Sequence, residues 1–317
     1  MGSPAETRPE GVERSDSVLA TARRSVTEFN EDGMTDWAAA LTYYGLLSLF
    51  PMLIALVSII GLFADPEATT EKLTEIVGNL GPDSAEDTFA GPVESLTSNR
   101  GAAGVTFVAG LLASIWAASG YIGAFGRAAN VIYQTREGRP FWKLKPLQLA
   151  VTVAMILILA VLAIGLAMTG PVVRAVAEPL GIGSTAVDVW SIAKWPAMIG
   201  LVLLMFAVLF HFSPNVNPGR IRWLSPGAVV ALAIWALASA GFAFYVSNFG
   251  SYDETYGTLG GFVVLLVWFW ISNIAILYGL ELNSEIARSR QIDDGVSGAE
   301  RQLQLDPRDE PKPKHTV

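Results

Sequence analysis

The chain has 317 residues, of which 52% are hydrophobic and 16% charged, and its mean hydropathy of +0.43 is too high for a water-soluble domain. It holds no cysteine and two histidines, which excludes disulfides, cysteine-ligated zinc and thiol catalysis. The net charge of −8 is unevenly spread, so it does not by itself describe the surface that any partner meets.

Residues 1–35 form an N-terminal arm whose first part, Met1 to Ser15, is polar, charged and Pro-containing and reads as disordered. Between Ser17 and Glu31, Val18, Leu19, Ala22, Val26 and Phe29 share one helical face. That predicts a short helix lying on the inner leaflet or, equally well, a solvated helix leading into the membrane. Six apolar stretches follow, at 38–63, 104–125, 147–169, 190–212, 226–247 and 258–280. Each can cross a hydrocarbon core of about 30 Å, which takes about 20 residues. The expected fold is therefore all-α: a polytopic membrane protein with six transmembrane helices in one bundle over 36–287, and a disordered tail over 288–317. Lys194, in the first turn of the fourth stretch, is the only formal charge inside a span.

Basic residues set the orientation. Arg23 and Arg24 precede the first span, and Arg127, Arg136, Arg139, Lys143 and Lys145 fill the second loop. Arg220 and Arg222 lie in the fourth loop, and Arg288 and Arg290 follow the last span. The first loop is acidic instead, and the fifth has neither Lys nor Arg. Both termini and the even loops are thus expected to be cytoplasmic. Trp37, Trp142 and Trp223 fall at the inner margin, where amphipathic rings settle at head-group level. In the first loop, Leu73, Ile76, Val77 and Leu80, then Phe89, Val93 and Leu96, recur at helical spacing, which predicts two short helices capping the outer mouth.

Within the spans, small and polar residues mark contacts and pathways. Tyr44, Ser48 and Pro51 share one face of the first span. Pro51 frees a backbone carbonyl there, which can line a solute path or serve packing. Gly120, Gly123 and Gly126 wind around the second span, and Ser239, Ala243 and Ser247 form a small-residue row on the fifth. Asn273 lies inside the sixth span, and Glu281, Asn283 and Glu285 close it. Charged groups near a membrane core usually have partners, so the simplest expectation is an Arg127–Glu281 ion pair, serving as a lock or a gate. Tyr44, Ser48, Pro51, Arg127, Asn130, Asn273, Glu281 and Asn283 are the candidate pathway residues. Asn248, Ser251, Tyr252, Tyr256, Gly257 and Gly260 crowd hydrogen-bonding and flexible positions around the fifth loop, making a candidate outer-surface binding site or an ordinary tight turn.

Several blocks together resemble the YihY/BrkB family of bacterial inner-membrane proteins. They are Ala39 to Tyr44 through Ser48 to Pro51, Asn130 to Tyr133, Phe212 to Asn215, Ser225 to Ala228, Tyr245 to Phe249, and Gly279 to Asn283. The resemblance implies a six-helix protein of the bacterial plasma (inner) membrane. It also brings three leads: an old ribonuclease label, a virulence branch, and a branch proposed to move lipid A precursors.

Nuclease chemistry needs a metal cluster or an acid–base set exposed to water. With no HxH or HExxH spacing and no aromatic-basic platform, the chain is read as neither an enzyme nor a nucleic-acid binder, with no cofactor and no metal. A transporter or flippase-like carrier of a lipid-like, amphipathic envelope solute is expected. The alternative is a non-transporting scaffold or accessory factor for envelope integrity. A polar cavity between the first, second and sixth spans favours the carrier, and tight packing there favours the scaffold. Expected partners are membrane lipids, the solute, and a second copy of the chain or an envelope-assembly protein.

Overall fold

The computed structural model describes residues 18–61, 103–168, 173, 184–217, 224–248 and 258–310. The described helices, in chain order, are α1 Val18–Glu31, α2 Met34–Gly61, α3 Ala103–Ile132, α4 Phe141–Ala167, α5 Ser184–Phe212, α6 Pro226–Asn248 and α7 Thr258–Asp293. Five stretches among the described residues are long and apolar enough to cross a membrane: Val108–Ile132, Phe141–Ala167, Val187–Phe212, Pro226–Val246 and Gly260–Asp293. The protein is an all-helical, multi-pass membrane protein across the residues described. The first expected span begins in α2, and its last two residues, like the first-loop helices, lie outside the described residues.

Helices α2, α3 and α7 form the centre, with α6 packed along α7 and α4 joining α3 to α5. The three glycines of α3 turn towards different partners, as a three-residue spacing on a 3.6-residue helix requires. Gly120 faces the Tyr44 ring of α2, Gly123 the Gln148 amide of α4, and Gly126 the Ser213 carbonyl beyond α5.

The α6–α7 seam is built otherwise than the small-residue row suggests. Ser239 does face α7, accepting a hydrogen bond from Trp268 Nε1 at 3.2 Å, while Trp235 Nε1 donates to Ser272 at 3.1 Å. Ala243, however, is exposed. The backbones approach closely at the start of α6, where Gly227 and Gly279 face each other.

The expected disordered tail is corrected over 288–310. Helix α7 runs on to Asp293, and the chain then folds back as a strap with Ala299 and Leu303 buried. Val216 and Pro307 form an antiparallel bridge. Arg308 donates through Nε to the Val216 carbonyl and through Nη2 to that of His211. Polar composition suggested disorder, but here Arg308 satisfies carbonyls at and just beyond the end of α5, and the backbone N–H groups of 294–296 close the end of α7.

Helix α1 also differs in detail. It docks on α7 through Thr21, Ser25 and Phe29, while Val18, Leu19 and Val26 remain exposed. Phe29 meets Tyr278 edge-on at 5.8 Å.

Candidate functional site

The candidate pathway residues fall into separate places. Deep in the bundle, Asn273 of α7 is buried and fully engaged. Its Oδ1 accepts from the Tyr121 hydroxyl of α3 at 2.8 Å, and its Nδ2 donates to Thr42 Oγ1 of α2 at 3.2 Å. Thr42 in turn donates to the Ala38 carbonyl. An apolar medium makes an unpaired amide costly, and this chain of bonds ties the three central helices together. Ser48 is buried and Tyr44 and Pro51 are half-buried; α2 continues through Pro51 to Gly61.

The expected Arg127–Glu281 ion pair is not formed. Arg127 is exposed on α3, its guanidinium 5.3 Å from the centre of the Tyr44 ring. Glu281 is 1% exposed, and its Oε2 has no hydrogen-bond partner. The two lie on different faces. Arg127 is exposed on the surface of α3, while Glu281 is enclosed with Tyr133, Asp32 and Glu285 nearby.

The helix ends carrying the basic residues gather at one end of the bundle. Asn283 caps α6 there: its Oδ1 accepts from the Gly227 N–H at 2.9 Å and its Nδ2 donates to Ser225 Oγ at 3.0 Å. Ser225 Oγ also accepts from the Ala228 N–H, an N-cap ahead of Pro226 at the first helical position. Asn130 donates to Glu137 and accepts from the Asn215 N–H. The Asn215 amide donates to the carbonyls of Arg136 and Asp309, both at 2.9 Å. Arg139 grips Glu137 with Nε and Nη2 at 2.7 and 2.8 Å, and reaches the Phe212 and Ser213 carbonyls that close α5. Burial pushes the Glu137 carboxyl up, but the Arg139 guanidinium and the Asn130 amide outweigh it and hold it below the usual range.

Beside this junction, Arg24 and Arg288 join α1 to α7. Arg24 pairs with Glu285 at 2.9 Å, and Arg288 with Glu28 at 2.8 Å and Glu285 at 3.3 Å. Asp32, in the α1–α2 turn, is pushed up to about 6 by burial first and then by Glu28, Glu31 and Glu285. A carboxyl raised in the folded state binds its proton more tightly there. Its favourable contribution is complete below about pH 4 and lost as pH rises through 6. Asp32→Asn is therefore expected to flatten the decline in thermal stability between pH 4 and 7, read as melting temperature in detergent. An unchanged slope refutes that assignment.

Two cavities open at this end. One, of about 340 Å³, lies beneath the strap between Tyr133, Phe210, His211, Asn283, Arg290 and Leu305. The other, of about 190 Å³, lies between α3, α4 and the end of α5. Of the outer-surface candidates, Ser251, Tyr252, Tyr256 and Gly257 lie outside the described residues, as does the Asn248 side chain, and Gly260 sits in the first turn of α7.

Sequence reasoning took Arg139 only as a positive charge and missed Asn215 and Arg308 as bond hubs. The Ser213-Pro214-Asn215 block was the available signal for the first of these. Nothing in a polar tail marks Arg308, because its partners are backbone atoms nearly a hundred residues away.

The sequence model of the family described as Virulence factor BrkB matches residues 25–303. The ribonuclease-like protein YfkH of Bacillus subtilis is 30% identical, over 81% of this chain and 91% of its own length. A UPF0761 membrane protein of Pseudoalteromonas atlantica is 29% identical, over 83% of this chain and 85% of its own. Another from Vibrio campbellii is 28% identical, over 84% and 83%. No solved structure matches.

Proposed function

The chain belongs to the BrkB family, and from that premise we propose that it is a six-span carrier for an amphipathic, lipid-like envelope solute in the bacterial inner membrane. In this proposal both termini lie in the cytoplasm, on the strength of the basic residues beside the first and last spans. The observation that carries the reading is the 340 Å³ cleft beneath the strap, a volume in the range of small-molecule sites. Phe210 and Leu305 supply an apolar wall. Arg290 and Tyr133 line the same space, and neither side chain makes a hydrogen bond to another described residue. Tyr133 is itself largely buried, 6% exposed, so the cleft pairs an aromatic side chain with a cationic one, a combination that suits an amphipathic solute. Helix α1 with its exposed Val18, Leu19 and Val26 then lies along the inner leaflet.

The ribonuclease-like name of the Bacillus relative stays with that protein, and nuclease chemistry is left out of the proposal because the sequence has no HxH or HExxH spacing. The scaffold reading has one observation in its favour: Asn273, Thr42 and Tyr121 satisfy one another where a mid-bundle path would run.

Purification in native-lipid particles, followed by identification of the co-purifying amphiphile and its movement across proteoliposomes, separates the two. The carrier reading expects a solute that moves with the wild type and is bound less by Arg290→Gln. Wild-type vesicles that move nothing recovered with the protein refute it and leave the scaffold.

A further inference from the structure

We infer that the smaller cavity, between α3, α4 and the end of α5, holds the phosphate head group of an anionic phospholipid drawn from the surrounding bilayer. This is a resident lipid site, separate from the cleft beneath the strap.

Three polar groups converge on this 190 Å³ space with their bonding capacity open. Arg127 stacks on Tyr44 and makes no ion pair with a carboxylate among the described residues. Ser213 is 5% exposed, and its Oγ is buried without a hydrogen-bond partner. The Gln148 side-chain amide borders the cavity beside Gly123 and makes no hydrogen bond to another described residue. Leu144, Leu147 and Val151 make the apolar wall. The Arg139–Glu137 pair at the rim is internally neutral, so Arg127 sets the sign of the site.

Depth and shape narrow the ligand. Arg127 lies in the last turns of a membrane-crossing stretch, Val108–Ile132. An arginine in that position normally has a partner, and among the described residues it meets only the face of the Tyr44 ring. The exposed Phe141 and Trp142 at the start of α4 mark the head-group level. A guanidinium, an amide and a hydroxyl together suit an oxygen-rich anion, and a guanidinium matches phosphate geometry well. The volume is below that of a drug-sized site, enough for a head group whose acyl chains stay in the bilayer along the Leu147 side. Basic pockets between helices at this depth are where anionic lipid heads are found.

The test uses the full chain in detergent micelles, titrated with phosphatidylglycerol or phosphatidylcholine, with bound lipid counted by native mass spectrometry and stability followed by melting temperature. Phosphatidylglycerol is expected to bind and raise the melting temperature, and phosphatidylcholine to do so far less. Arg127→Gln should weaken phosphatidylglycerol binding by about tenfold or more, the scale of a charge-assisted contact. Ser213→Ala should weaken it by a few fold while leaving the lipid-free melting temperature unchanged, because that hydroxyl has no protein partner to lose. Arg136→Gln removes the same charge from an exposed loop position and should leave binding within twofold. Equal losses in Arg127→Gln and Arg136→Gln would mean diffuse surface attraction and overturn the site. Displacement of the lipid by equimolar glycerol phosphate would assign it to a soluble phosphate instead and overturn the lipid source. None of these readouts depends on solute movement, so the site and the carrier reading stand or fall separately.

Discussion

Gly279→Leu is expected to leave little folded protein, with a loss of about 3 kcal/mol or more, at or beyond the top of the usual range for overpacking. A Cβ at Gly279 would meet the Gly227 carbonyl and the Ala231 side chain, and one at Gly227 would meet the Gly279 carbonyl and the Asn283 amide. Those obstacles are backbone or pinned groups, so the helices must separate. Separation also breaks the Asn283 bond to the Gly227 N–H, opening the start of α6. In lipid no hydrophobic force draws helices together, so close backbone packing supplies much of the attraction. Gly241, with nothing near its would-be Cβ, is the control: Gly241→Ala should be neutral or slightly stabilising. The measurement is yield and melting temperature of each variant in one detergent. A Gly279→Leu protein that melts like the wild type would show that the seam does not hold the bundle.

The second large effect is expected at Arg139. Its side chain is 4% exposed and serves a bidentate grip on Glu137 together with two carbonyls at the end of α5. Arg139→Ala removes the counter-charge from a partly buried carboxylate, which keeps the Asn130 amide as a donor, and takes the guanidinium away from two helix-end carbonyls. Breaking a buried pair in this way costs about 3–5 kcal/mol, and the partial exposure of Glu137, 30%, favours the lower end. Lysine should not rescue it, because a single ammonium cannot reproduce the planar fork. The pH signature runs opposite to that of Asp32. The lowered Glu137 carboxyl contributes stability above the usual carboxylate range of about pH 4.5 and loses it as pH falls through its depressed value. Arg139→Ala should therefore remove part of the acid-limb sensitivity as well as lower the melting temperature. If Arg139→Lys retained full stability, the fork argument would be wrong.

Much of the architecture was legible because a hydrocarbon solvent leaves few choices. The last five expected spans, from 104–125 to 258–280, each fall within or largely within a described membrane-crossing helix. The fifth expected span, 226–247, starts where α6 does, at Pro226, and the three glycines of α3, whose spacing winds around the helix, meet three different neighbours. The candidate site was less legible. Arg127 and Glu281 shared a depth, which is a one-dimensional property, and pairing also needs a shared face. Asn283 looked like a pathway group because it is polar and deep, yet its bonds go to the first turn of α6. The tail over 294–310 looked unfolded because composition counts polar residues and cannot see the open carbonyls that receive them.

The sequence alone determined the solvent, the helical class and the uneven placement of charge, since each follows from how many apolar residues run together and where the arginines interrupt them. Tertiary structure alone decided which arginine finds a carboxylate and which is left facing a cavity. Arg24, Arg139 and Arg288 have acids within reach, and Arg127 has a tyrosine ring. The reason is physical: the cost of a charge in a membrane is set by the few ångströms around it, and those neighbours come from distant helices whose rotation no linear pattern records.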